Sequence, residues 1–366
     1  MIPMVDLKGQ YHTLKQEIDN ALLRALEETQ FILGPNVKAF EAEAADYLGT
    51  RDTVAVASGT DALHLALLAS GIGPGDEVIT TAFSFVATAE AILYVGARPV
   101  FVDINPDNFN IDIEQVRAAI TARTRAIIPV HLFGQPCDMM SLMALAEQHG
   151  LHVIEDCAQA FGADIQSKRV GSFATAGCFS FFPSKNLGCY GDGGLISTNN
   201  REMADHLRVL RNHGSWQRYH HTELGFNSRL DELQAVILRI KLKHIDYYNE
   251  QRRNVAQRYN QALQKLPGII TPIADGIGSH VYHQYTLLTT RRDIIARHLQ
   301  EKEIASAIYY PIPLHQQTLF ATDYKSTSLP HSERIAAQCL SLPIYPELDA
   351  AKQTTIITAI EEAMSD

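Results

Sequence analysis

Between residues 54 and 197 the chain alternates short apolar runs with stretches of helical periodicity, and few architectures tolerate that alternation. The runs are Val54–Ala57, Glu77–Thr81, Pro99–Asp103, Ala126–His131, His152–Glu155, Cys178–Phe182 and Leu195–Ser197. Helical spacing fills 60–70, 84–95, 112–121, 138–149 and 200–212. Strands that alternate with helices form a mainly parallel sheet covered on both faces. The last two runs lie too close together for a helical crossover, which predicts a hairpin or an antiparallel strand there. Helices are expected over 12–30, where Leu14, Ile18, Leu22, Leu23 and Leu26 recur at three- and four-residue steps, and over 36–48. Residues 229–266 read as one long or bent helix stopped by Pro267-Gly268. Beyond it come strand patterns at Ile269–Pro272, Tyr282–Thr289 and Ile304–Tyr309, helices near 291–302 and 350–364, and a Ser/Thr/Pro-containing surface loop over 320–332. The organisation expected is α/β: a large domain over 1–245 with a mostly parallel sheet, and a smaller α+β domain over 246–366.

Composition narrows the function. The 31 basic and 41 acidic residues give a net charge of −10, which argues against a general nucleic-acid binder. Cys137, Cys157, Cys178, Cys189 and Cys339 form no Cys-x-x-Cys pair and no zinc-ligand spacing. They read as reduced thiols in or near the core, and no metal is expected. The first residues lack the apolar run of a signal peptide, and no apolar stretch approaches the ~20 residues that span a bilayer. The expectation is a cytoplasmic protein that does not enter a membrane.

Three segments at predicted strand ends carry chemistry. Ser58-Gly59-Thr60-Asp61 turns from a strand into a helix, where free backbone N–H groups and the Thr60 hydroxyl can hold a phosphate. The competing reading is that Thr60 only caps the helix. Glu155-Asp156 closes an apolar strand, so one acid must face a ligand or enter a paired buried site. Helix capping or a structural ion pair would also explain it. Lys185, in Ser180-Phe181-Phe182-Pro183-Ser184-Lys185-Asn186-Leu187-Gly188, sits between aromatics and glycines. A desolvated lysine has a lowered pKa and becomes a nucleophile for imine chemistry, whereas an isolated lysine is ordinarily a solvated charge. Together the three supply what pyridoxal 5'-phosphate requires: a phosphate anchor, an acid for the ring nitrogen and a lysine for the aldehyde.

With these segments the sequence resembles the DegT/DnrJ/EryC1/StrS sugar aminotransferases, fold-type I enzymes with an aspartate-aminotransferase-like fold. The resemblance runs over nearly the whole chain. It also rests on Phe31-Ile32-Leu33-Gly34-Pro35, Gly73-Pro74-Gly75-Asp76-Glu77-Val78, PVHLFGQPCD from Pro129 to Asp138, Gly225-Phe226-Asn227-Ser228-Arg229-Leu230-Asp231 and Tyr309-Tyr310-Pro311-Ile312-Pro313-Leu314-His315. It implies that Lys185 holds the cofactor as an imine and then carries the proton between cofactor and substrate. Asp156 would pair with the ring nitrogen, Gln159 with the phenolic oxygen, and Phe85 would stack on the ring. A core position is the commoner fate of such a phenylalanine. Gly59, Thr60 and Ser180 would bind the phosphate, and Asn227 would reach the phosphate in a neighbouring subunit, which implies a homodimer with shared sites. His213, Arg229, Tyr309, Tyr310 and His315 would face substrate, although His and Tyr in loops are often plain surface residues.

The family's dehydratase branch replaces the lysine with histidine, so Lys185 implies transamination. The donor implied is L-glutamate and the acceptor a nucleotide-linked keto sugar. The motifs look most like members that aminate carbon 3 of dTDP-3-keto-6-deoxyhexoses. A UDP-linked 3-keto N-acetyl uronic acid, with Arg229 facing its carboxylate, and a 4-keto sugar nucleotide are the alternatives. From another class stands a regulatory protein that binds the cofactor without turnover. Three other patterns carry no function: Tyr11-x-x-x-Lys15 lacks an upstream nucleotide turn, Gly71-x-Gly73-x-Gly75 precedes rather than follows a strand, and His220-His221 lacks a third ligand.

Overall fold

In the computed structural model, which describes residues 1–217 and 219–365, each apolar run contributes a strand, and the central strands are buried on both faces. Helices α1 (Leu7–Glu28) and α2 (Pro35–Leu48) lead into β1 (Asp52–Val56), α3 (Gly59–Ala69), β2 (Glu77–Thr81), α4 (Ala87–Tyr94), β3 (Arg98–Val102), α5 (Ile113–Ala119), β4 (Thr124–Ile128), α6 (Met139–His149) and β5 (His152–Asp156). A small hairpin, β6 (Asp164–Ile165) and β7 (Lys168–Arg169), precedes β8 (Ala176–Ser180) and β9 (Gly194–Thr198). Then come α7 (Arg201–Leu210) and a second hairpin, β10 (Ser215–Gln217) and β11 (His220–His221). The chain continues through α8 (Glu232–Leu242), α9 (Ile245–Leu263), β12 (Tyr285–Leu288), α10 (Arg292–Glu301), α11 (Pro330–Gln338), β13 (Cys339–Leu342) and α12 (Ala350–Ser365).

Among the described residues seven strands form the large sheet, in the order β1-β9-β8-β5-β4-β2-β3. Pairs β2–β3, β2–β4, β4–β5 and β5–β8 are parallel, and β9 runs antiparallel to both β8 and β1, as the short spacing requires. Period-2 alternation divides the core. Val54, Val56, Val78, Ile128, Ile154 and Ile196 pack with Leu63, Leu67 and Leu207 of α3 and α7. Ala55, Phe179 and Leu195 pack with Phe40 and Leu238 of α2 and α8, while Ile79, Ile127 and Val153 meet Leu142 and Leu145 of α6. The five cysteines are buried free thiols, as expected.

The C-terminal elements share a cluster of their own, with Tyr259, Leu287, Leu299, Leu342 and Ile360, and Ile2 and Val5 of the N-terminal segment join it. Here the sequence pattern differs from the structure in three places. The expected helix over 229–266 is two helices, because Asp231 is extended (ψ 141°) and the chain turns at His244 (φ −109°, ψ 0°). Ile269–Pro272 and Ile304–Tyr309 form only isolated bridges, Ile270 to Leu288 and Ala307 to Ser341 beside the antiparallel pair β12–β13, and Ile304 to Ile2. Pro272 has no N–H to extend a ladder. Segment 320–329 is a loop at the surface, as expected, but it is pinned by Phe320, Tyr324 and Leu329, which are buried against Phe101, and by the Tyr324 hydroxyl, which donates to the Pro99 carbonyl. Residues 330–332 begin α11, which with β13 gave no distinct pattern.

One tie between the two parts stands out. Asp103, just after β3, accepts the His331 N–H at 2.9 Å, the Ser332 N–H at 2.8 Å and the Ser332 hydroxyl at 2.7 Å. It thus satisfies free donors of α11 from another element. Glu333 in the same helix meets His315 Nε2 at 3.1 Å, and the Leu314 N–H bonds the Ala82 carbonyl, which anchors the Tyr309–His315 segment on the large sheet.

Candidate active site

The carboxyl ends of β1, β2, β5 and β8 open on one cavity of about 430 Å³, the place where parallel sheets collect ligands. Ser58, Gly59, Thr60, Phe85, Asp156, Gln159, Ser180, Lys185, Tyr309 and Tyr310 line it, so ten side chains or turns from five separate segments converge. Helix α3 is capped by Ser58, whose hydroxyl accepts the Asp61 N–H at 3.1 Å, so the Thr60 hydroxyl is not the cap. Gly59 passes so close to β8 that a Cβ there would lie 2.6 Å from Ser180 Cβ. Only glycine lets this turn and Ser180 share one corner.

The two acids closing β5 part, as alternation demands. Glu155 turns away from the cavity and is fully buried, where it accepts N–H groups of Gly171 (2.7 Å), Phe173 (3.0 Å) and Ala174 (3.1 Å) and meets His131 Nε2 at 3.2 Å. His131 Nδ1 accepts the Cys137 N–H, so its Nε2 carries the proton given to Glu155. His131, Glu155 and Cys157 lie close enough to suggest a metal, yet Glu155 is saturated by hydrogen bonds and burial holds the Cys157 thiol protonated. Asp156 faces the cavity. Its Oδ2 accepts the Thr88 hydroxyl at 2.8 Å and its Oδ1 the Ala158 N–H at 3.1 Å. Burial pushes its pKa up, while the Thr88 and Ala158 hydrogen bonds and the nearby Lys185 charge pull it down.

Lys185 follows β8 and opens into the cavity, so the residue is only half-buried, but dense protein around the amine lowers its pKa from 10.5 to about 8, with Asp156 opposing. Such a shift corresponds to roughly 3 kcal/mol. The unfolded chain binds this proton more tightly, so cofactor-free protein gains stability as pH rises from about 8 to 10.5. Lys185→Met should therefore be more stable than the parent by about 3 kcal/mol at pH 7 in urea unfolding, with the gap closing by pH 10.5.

Gln159 is fixed from both ends. Its Oε1 accepts the Phe133 N–H at 2.8 Å and its Nε2 donates to the Tyr310 hydroxyl at 3.1 Å, which leaves one amide hydrogen for the cavity. Phe85 is no core aromatic: it is 54% exposed at the cavity, tilted 37° to Tyr310 at 6.1 Å. The remaining residues singled out from sequence do not line the cavity of their own chain. Asn227 and His213 are exposed, Arg229 donates to Asn212 Oδ1 at 3.0 Å, and His315 is buried against Glu333. Ser228, beside Asn227, donates to Asp61 Oδ2 at 2.6 Å and so ties that segment to the phosphate-type turn. Sequence reasoning missed Thr88 and His283. Thr88 lies inside a helical pattern that gives hydroxyls no special mark, and His283 lies within a strand-like run.

Comparison with known proteins decides what this site belongs to. Residues 12–361 match the DegT/DnrJ/EryC1/StrS aminotransferase family. The chain belongs to that family. It is 52% identical over 363 residues to a UDP-N-acetyl-3-dehydro-α-D-glucosamine 3-aminotransferase of Acidithiobacillus ferrooxidans, covering 99% of this chain and 98% of the relative. A "pleiotropic regulatory protein" of Geobacillus stearothermophilus is 50% identical over 99% of this chain and 98% of its own. The dTDP-3-amino-3,4,6-trideoxy-α-D-glucose transaminase of Streptomyces venezuelae is 45% identical over 99% and 96%. Among solved structures, S. venezuelae DesV in complex with a ketimine intermediate superposes with a TM-score of 0.98 at 44% identity, over 100% of this chain and 99% of that one. This chain is a pyridoxal-phosphate-dependent sugar aminotransferase of fold type I. The cavity fits that cofactor on its own evidence: a depressed amine, a carboxylate held opposite, and a helix start that only glycine can bring against Ser180. Among the described residues no helix is long and apolar enough to cross a membrane.

Proposed function

We propose that the enzyme transfers the amino group of L-glutamate to carbon 3 of a nucleotide-linked keto sugar. The observation that carries this reading is the Lys185 amine, lowered to about 8, in one cavity with Asp156 and the Gly59–Thr60 turn. The cofactor, when bound, supplies the electron sink. Lys185 holds it and, once released, moves the proton at the reacting carbon, its lowered pKa giving a larger unprotonated fraction near neutral pH than an ordinary lysine has. Asp156 keeps the ring nitrogen protonated, Gln159 donates its remaining amide hydrogen to the phenolic oxygen, and Phe85 covers the ring. Gly59, Thr60 and Ser180 hold the phosphate. Asn227 serves the cavity of a partner subunit, a role supported by its exposure outside its own. His213, Arg229, Tyr309, Tyr310 and His315 remain the substrate-side set; only the two tyrosines line their own chain's cavity. The reduced buried thiols fit a cytoplasmic enzyme.

The motifs favour a dTDP-3-keto-6-deoxyhexose as acceptor. The 52% identity to the A. ferrooxidans relative favours a second reading, a UDP-linked 2-acetamido-3-keto hexose. A uronic acid would need its carboxylate to meet Arg229, which lies outside its own chain's cavity, so that contact would come from the partner subunit. The regulatory alternative loses ground to an intact lysine with a depressed pKa. Incubation with glutamate and a panel of dTDP- and UDP-linked 3- and 4-keto sugars should yield a 3-amino product from one nucleotide series at least about tenfold faster than the other. A 4-amino product, or no product from any acceptor, would overturn the reading.

A further inference from the structure

Thr88 does not belong to the residues that the sequence pointed to, yet its contacts reach the centre of the site. It lies in the first turn of α4, one helical turn after Ser84, and both side chains are buried at the cavity wall. The Thr88 hydroxyl is 2.8 Å from Asp156 Oδ2 and 3.1 Å from the Ser84 hydroxyl. A threonine has one hydroxyl proton, and an ionised carboxylate can only accept. Thr88 therefore donates to Asp156, and Ser84 must donate to Thr88. The other carboxylate oxygen, Oδ1, takes the Ala158 N–H. One donor on each oxygen fixes the carboxylate plane, and a chain of aligned hydroxyls strengthens its last member.

We propose that Thr88 is a positioning residue for Asp156, acting at the end of a Ser84–Thr88 hydroxyl relay that keeps the carboxylate ionised and aimed at the cofactor's ring nitrogen. The relay ties α4, at the end of β2, to the end of β5 across the intervening β4. Such support is needed because Asp156 is buried, and a buried carboxylate without donors takes up a proton and loses its hold on a cationic partner. The proposal rests on the role given above to Asp156.

The test uses the cofactor-loaded enzyme with ¹⁵N in the pyridine ring. In the parent the ¹⁵N shift should report a protonated nitrogen. Thr88→Val, which keeps the shape and removes the hydroxyl, should move that shift toward the unprotonated value and lower kcat by roughly 10- to 100-fold, the worth of one hydrogen bond to a charged group, with KM for glutamate changed less than about threefold. Thr88→Ser should restore both readings. Ser84→Ala should move both in the same direction by less, and it carries the test should Thr88→Val fail to fold. Asp156→Asn serves as the reference. If Asp156→Asn loses ring protonation and turnover while Thr88→Val and Ser84→Ala lose neither, the relay is overturned and the role of Asp156 stands. If Asp156→Asn itself leaves the ¹⁵N signal unchanged, the underlying assignment fails instead.

Discussion

Lys185→Ala should yield a folded protein that still takes up pyridoxal phosphate and fails to turn over. In the mechanism proposed above one side chain supplies both the covalent hold and the proton transfer, so kcat should fall by at least about 10⁴-fold. The cavity loses a buried amine that no described residue replaces: the other titratable groups on its wall are Asp156, Asp192, His283, Tyr309 and Tyr310. Burial, together with the Lys185 and Arg252 charges, holds His283 neutral, and burial pushes the Tyr309 and Tyr310 hydroxyls above their usual range, so none of these three is a ready base of lysine's strength. The check is spectroscopic first. The parent should show an imine band that shifts on adding glutamate, and borohydride should fix the cofactor to residue 185. The variant should show neither effect while retaining noncovalent cofactor through the Gly59–Thr60 turn and Asp156. Normal turnover by Lys185→Ala would remove the basis of the assignment.

Mixed assemblies should give the second large effect. Asn227→Ala alone should release cofactor more readily, and Lys185→Ala alone should be inactive. If Asn227 completes the site of a partner, a heterodimer of the two variants holds one site with both defects and one with neither. Random mixing puts half the chains into such heterodimers, each with one of two sites intact, so activity should recover to about one quarter of the parent. Failure to regain any activity, with heterodimers verified by differential tagging, would show that each chain completes its own site. The exposed position of Asn227, outside its own cavity and braced by Ser228 on Asp61, makes recovery the expected result.

The large sheet was legible because its central strands are buried on both faces and those from β1 to β5 are separated by helices; Glu77–Thr81 even falls at the expected residues. Lys185, Asp156 and the Ser58–Thr60 turn were legible for a related reason. Each is a polar residue at the end of an apolar run, where neither burial nor solvent explains it. The C-terminal part was harder. Its strands are four residues long and pair with distant partners, as Tyr285 does with Leu342, so local pattern carries little of the information. The buried Phe320, Tyr324 and Leu329 are spaced among polar residues in irregular turns, which leaves no periodicity to read. Thr88 was invisible because its hydrogen bond to Asp156 spans 68 residues of sequence.

The Asp103 clasp on α11 sets how the enzyme can admit its substrates. A C-terminal lobe fastened by three hydrogen bonds to one carboxylate at the sheet margin cannot swing like a jaw without breaking them together. Smaller displacements at the rim, where Phe85 and Phe182 are each more than half exposed, would leave those bonds in place. A bulky sugar nucleotide would then be accommodated by an aperture that flexes locally in front of a rigid floor.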